Sequence, residues 1–152
     1  MSQSHVDTYI ALHGDFVSLA RSISDAKLEQ TPKNGEWSAA YVLHHLADAD
    51  MHFATRFLNI LTIENPAIIG FDEDVYPDRL HYKNRSAVDS LAAIEGISKA
   101  IANILTLADE IDWKRTGIHS EKGAVTLLDI LNLTTGHVKG HTEQLKEIIS
   151  SF

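Results

Sequence analysis

Four stretches of this chain place apolar residues at helical rather than strand spacing, and that periodicity decides what core it can build. In residues 4–23 the apolar positions are Val6, Tyr9, Ile10, Leu12, Phe16, Val17, Leu19 and Ala20. Ser38 is suited to cap a second helix running to about Thr62, and Ser86 a third over residues 87–108, where Val88, Leu91, Ile94, Ile97, Ile101, Ile104 and Leu105 keep the period. Thr126 caps a fourth, from Leu127 to about Ile149. Four long amphipathic helices without repeats predict an all-α fold, a four-helix bundle with any cofactor site between facing helices.

The connections are read from their breakers. SDAKLEQTP is a short helical turn stopped at Pro32, and PKNGEW is a tight link. Residues 64–85, with Pro66, Gly70 and Pro77, form a connection between helices two and three long enough to cover a site. DEIDWKRTGIHSEKGAVT is a polar connection expected to hold a short strand-like pair.

With 152 residues, a single domain over 1–152 is expected. Its 44% hydrophobic and 22% charged residues are those of a soluble globular chain, its apolar runs look too short to cross a bilayer, and its start lacks a signal sequence. A cytoplasmic protein without a membrane partner is therefore expected. A net charge of -8 with 13 scattered basic residues argues against nucleic acid; the partner expected is a small-molecule substrate. The absence of cysteine excludes disulfides, thiolate ligands and a cysteine nucleophile, so any reactive sulfur must arrive with a substrate. Nine histidines are the compositional lead.

On helix two, Val42, Leu46, Ala49, Phe53, Phe57 and Ile60 share one face. His45 lies roughly 70° from the centre of that stripe and His44 nearly opposite, which predicts His45 toward the bundle and His44 toward water. His52 and Arg56 follow the flank of His45, and Asp48, one turn away, is placed to hydrogen-bond an imidazole. On helix four, GHVKGHTEQL sets His137 and His141 one turn apart on the stripe's edge. Such a pair can chelate one divalent ion, and a histidine from a facing helix completes a three-histidine shell.

Each of these residues also has a plainer role. A histidine at a stripe edge is commonly a hydrogen-bonded boundary residue, and Val138 and Lys139 stand where a zinc protease has H-E-x-x-H. Gly136 and Gly140 serve either close helix packing or space for a metal. Arg56 is either an anion-orienting, substrate-binding group or a surface ion pair. Asp48 and Asp50 are either partners that fix a histidine tautomer or solvated acids. Trp37 is either a staple on helix two or, less commonly, a substrate contact. Tyr76, His81 and Tyr82 sit where an entrance would be, while His5, His13 and His119 show no reason to be functional.

WSAAYVLHHLADADMHFATRFLNIL followed by ENPAIIGFDED, with GHVKGHTEQL near the C-terminus, resembles the DinB-like superfamily, and within it the YfiT-like, bacillithiol-transferase branch. The resemblance covers nearly the whole chain in helix order and spacing. It implies a four-helix bundle binding one divalent ion through His45, His137 and His141. This chain departs from the branch in starting almost at helix one and in carrying His52 where another polar residue is usual, which makes His52 a candidate additional ligand.

Three neutral imidazoles leave an ion its full charge and open positions for water or substrate, and such an ion lowers the pKa of bound water toward about 7. The resemblance implies a second use, a low-molecular-weight thiol bound as thiolate and passed to an electrophile. The expected protein is thus a metal-dependent small-thiol S-transferase or hydrolase, with zinc or nickel the first candidates among the ions that imidazole suits, iron and copper included. The alternatives are a non-catalytic metal- or ligand-binding bundle for sensing or sequestration, and a dimeric helical scaffold. A homodimer is compatible with such a bundle, though no heptad seam or exposed apolar patch demands it.

Overall fold

Ser38, Ser86 and Thr126 each cap a long helix at the position their side chains predict. In the computed structural model, which describes residues 2–33 and 35–152, Ser38 Oγ accepts from the Tyr41 amide and Ser86 Oγ from that of Asp89. Thr126 and Asp129 form a reciprocal capping box. Each cap stabilises its helix by about 1 kcal/mol.

The helices are α1 (Ser2–Arg21), α2 (Asp25–Leu28), α3 (Ala39–Thr62), α4 (Tyr76–Arg79), α5 (Ala87–Leu107) and α6 (Leu127–Ser150). Helix α1 packs mainly on α5 and α6, and so does α3. Consecutive long helices, α1 with α3 and α5 with α6, therefore stand across the diagonals of the bundle. Helix α5 has the length and mean hydropathy, 1.3, of a membrane span, which corrects the expectation that every apolar run is too short. Asp89, Glu95 and Lys99 interrupt it, and its buried face packs on α1 and α3.

The connection between α3 and α5 is more ordered than a plain loop. It contains β1 (Ala67–Ile68), a 3-10 turn (Glu73–Val75), α4 and a second 3-10 turn (Tyr82–Asn84). The expected strand pair is β2 (Thr116–His119) and β3 (Gly123–Thr126), antiparallel, with Thr116 opposite Thr126. Strand β1 adds to it in parallel, Ala67 opposite Ile118, and ties the two long connections together. Gly117 allows this approach, because a Cβ there would stand 2.6 Å from Ile68 Cδ1 and 3.1 Å from the Pro66 carbonyl oxygen.

The core divides into two apolar clusters. One holds Phe16, Val17, Leu43, Leu46, Ile94, Val138 and Leu145; the other holds Val6, Tyr9, Phe53, Phe57, Ile101, Leu105 and Leu131. Between them along the four helices lie the buried polar residues His13, Asp50, Ser98 and Thr134. The bundle thus carries a polar layer at mid-height, where a site can be built without interrupting either cluster.

Candidate metal centre

Helix α3 delivers His45, and α6, packed against it, delivers His137 and His141. Their potential ligand atoms lie within 4.8 Å of one another. His45 Nε2 is 3.1 Å from His137 Nε2, which is 3.1 Å from His141 Nε2. A neutral imidazole nitrogen offers one in-plane direction, either a lone pair or an N–H, so His137 Nε2 cannot make a linear hydrogen bond to both neighbours. A cation where the three lone pairs converge satisfies all of them. The separations agree with donors sharing one ion at bond lengths of about 2.0–2.1 Å.

The surroundings favour neutral, ligating imidazoles. Burial, followed by the nearby His141, holds His45 down at about 4, and burial with His141, His45 and His13 holds His137 down at about 3. Neither must lose a proton near neutral pH in order to bind a metal. His141 Nδ1 donates to Gln144 Oε1 at 2.7 Å, leaving Nε2 as its lone-pair nitrogen. Nδ1 of His45 and of His137 are buried without a hydrogen-bond partner among the described residues. Trp37 and Phe53 give the site aromatic walls, with ring centroids 5.3 Å from His45 and 5.6 Å from His137.

Other candidates take different places. His44 does not face water: it is 0% exposed, and its Nδ1 pairs with Ser90 Oγ at 2.8 Å. The outer side of α3, expected to face solvent, is covered by α5 and the turn at Tyr82, with the Tyr82 ring 5.3 Å from His44. His52 is turned away from the three-histidine cluster. It pairs with the Tyr76 hydroxyl at 2.6 Å and stacks on Phe71. Asp48 binds no imidazole; it accepts from the Tyr82 hydroxyl and from Arg85, both at 2.8 Å. Asp50 is not a solvated acid but a buried neighbour of His13.

Arg56 is not a surface ion pair. It is buried, donates to the Ile69 carbonyl at 3.0 Å, and lies over the rings of Phe53 and Phe71. Its guanidinium thus holds the 63–86 connection to α3. Tyr82 is fully buried rather than at an entrance, and His81 is exposed. A Cβ at Gly136 or Gly140 would meet nothing within 4 Å, so close helix packing does not explain either glycine. Exposed Met51, Val75 and Leu80 line a cleft of about 600 Å³ beside Arg79 and Arg85, an apolar patch that the sequence did not suggest.

Two residues at the site had no place among the sequence candidates. Gln144 was legible as the i+3 neighbour of His141 on the same face. Glu73, with Oε2 at 3.5 Å from His45 Nε2, comes from the irregular connection, where periodicity carries no information.

The DinB superfamily profile matches residues 9–145. The chain belongs to the DinB superfamily. Among similar proteins, one from Geobacillus thermodenitrificans is 32% identical over 127 residues, covering 83% of this chain and 71% of that protein. YfiT of Bacillus subtilis is 31% identical over 128 residues, again 83% and 71%. Both are provisionally named as metal-dependent hydrolases. The structure of YfiT, which has an unusual four-helix bundle topology, superposes with a TM-score of 0.84 at 25% identity, covering 97% of this chain and 85% of YfiT. A mycothiol-dependent maleylpyruvate isomerase shares the fold, with a TM-score of 0.76 at 12% identity, covering 95% of this chain and 60% of the isomerase.

Proposed function

We propose that this chain is a metal-dependent enzyme in which His45, His137 and His141 hold one divalent ion and a small thiol is the nucleophile transferred to an organic electrophile. The observation that carries the reading is the convergence of three Nε2 atoms, two neighbouring pairs of which are 3.1 Å apart. An ion bound there supplies Lewis acidity, which favours the anionic form of a thiol or of water near neutral pH.

The chain's own residues shape what reaches that position. Gln144 keeps His141 in the tautomer with Nε2 free, while Trp37 and Phe53 present apolar walls suited to an organic substrate and poor at solvating charge. Arg56, the His52–Tyr76 pair and the β1–β2 pairing hold the 63–86 connection over α3, which limits water at the site. A cysteine-free chain leaves the sulfur to the substrate. The fold shared with a mycothiol-dependent isomerase supports this use of a thiol.

Hydrolysis is the second reading, favoured by the provisional names of the relatives. Both predict activity that needs the ion. Metal-loaded protein should accelerate transfer from at least one of several small thiols to a chromogenic electrophile, and His141→Ala should abolish the acceleration. Ester or amide hydrolysis without thiol transfer would support the second reading. Metal-loaded protein with neither activity would overturn both in favour of a binding role.

A further inference from the structure

We propose that Glu73 is a fourth, displaceable ligand of the ion, an inference that rests on the three-histidine reading above. Glu73 Oε2 lies 3.5 Å from His45 Nε2, the nitrogen that is also 3.1 Å from His137 Nε2. Donors sharing a tetrahedral ion at bond lengths of about 2.0–2.2 Å stand roughly 3.4 Å apart, so the carboxylate stands at ligand spacing from His45 but outside the 4.8 Å grouping of the three imidazoles, and it joins them by a swing of its exposed side chain.

The backbone bearing Glu73 is constrained on both sides. Asp72 Oδ1 accepts from the Asp74 amide at 3.1 Å and sets the turn, Arg56 binds the Ile69 carbonyl upstream, and Tyr76 pairs with His52 downstream. His45 is 1% exposed and fixed in the bundle, whereas Glu73 is 51% exposed. An incoming anionic donor can therefore displace the carboxylate without disturbing the histidines. Three imidazoles leave a divalent ion at +2, and the carboxylate brings the centre to +1, holding the connection closed until a substrate of equal charge takes its place.

Cobalt(II), whose visible absorption reports its ligands, separates this inference from the reading beneath it. Wild type, Glu73→Gln and Asp74→Asn should each take up one cobalt ion, and His141→Ala none. Glu73→Gln should change the position and intensity of the visible bands and weaken affinity by about tenfold or more. Asp74→Asn, which removes an acid from the same turn, should leave both unchanged. An unaltered spectrum and affinity in Glu73→Gln would overturn Glu73 as a ligand while leaving the three histidines in place. Equal shifts in both acid variants would overturn it in favour of general charge, and wild type that takes up no cobalt would overturn both readings.

Discussion

His13 Nε2 and Asp50 Oδ2 meet at 3.4 Å in the middle of the bundle, each residue 2% exposed. The contact joins α1 to α3 across a diagonal, between helices that otherwise pack mainly on α5 and α6. Burial raises the Asp50 carboxyl, opposed by the nearby His13 and by His141. Removing one member of such a pair leaves the other buried without compensation, whereas replacing both with apolar groups does not. His13→Ala should destabilise the fold by about 3 kcal/mol, and the double change to leucine by clearly less. Urea unfolding measures both. A double variant as unstable as the summed single variants would contradict the coupling.

Acid should weaken the metal-free fold in a defined window. His44 is held down at about 4 by burial and then Arg85, against Asp48; with His45, His137 and His52, the last lowered by burial and then Arg56, it makes four imidazoles depressed below their ordinary value of 6.5. Below pH 6.5 the unfolded chain takes up these protons and the folded chain does not, so stability falls from pH 6.5 toward about 4 and is retained above. Asp50, raised by burial, pulls the other way, but one carboxyl opposes four imidazoles. Melting temperatures that stayed constant between pH 7 and 4.5 would contradict the account.

The neighbours His44 and His45 should separate by experiment. His45→Ala is expected to lose the metal and His44→Ala to keep it. Yet His44→Ala is not silent, because it leaves the buried Ser90 hydroxyl without its imidazole partner, at about 1–3 kcal/mol. Metal content and a thermal melt on both variants check this, and loss of metal from His44→Ala would sink the division.

Gln144→Ala should keep the fold and weaken metal affinity by about 10- to 100-fold, because His141 loses the acceptor that fixes its tautomer. Gln144→Glu, which retains an acceptor, should bind at least as well as wild type. A competition titration with a chromophoric chelator reads the difference, and equal affinity in wild type and Gln144→Ala would remove Gln144 from the site.

Much of this was legible because helices report themselves through periodicity. Caps at Ser38, Ser86 and Thr126 placed the starts of α3, α5 and α6, and the i, i+4 spacing of His137 and His141 put both imidazoles on one edge. Face geometry placed His45 correctly and failed at His44, because it locates the centre of an apolar stripe but not what packs outside it. The same limit misread Arg56, whose buried role depends on the carbonyl of Ile69 in another segment. Glu73 had no signal, since a side chain on a 3-10 turn is aimed by the tertiary contacts of that turn, and the parallel pairing of β1 with β2 depends on residues about fifty positions apart.

The central claim is that His45, His137 and His141 together hold one divalent ion. Elemental analysis of purified protein after dialysis against a weak chelator, beside His45→Ala, His137→Ala and His141→Ala variants shown to be folded by circular dichroism, tests it most directly. The account predicts about one equivalent of a transition metal in wild type and almost none in each variant. Metal-free wild type that cannot be loaded, or an equivalent retained by the variants, would contradict it.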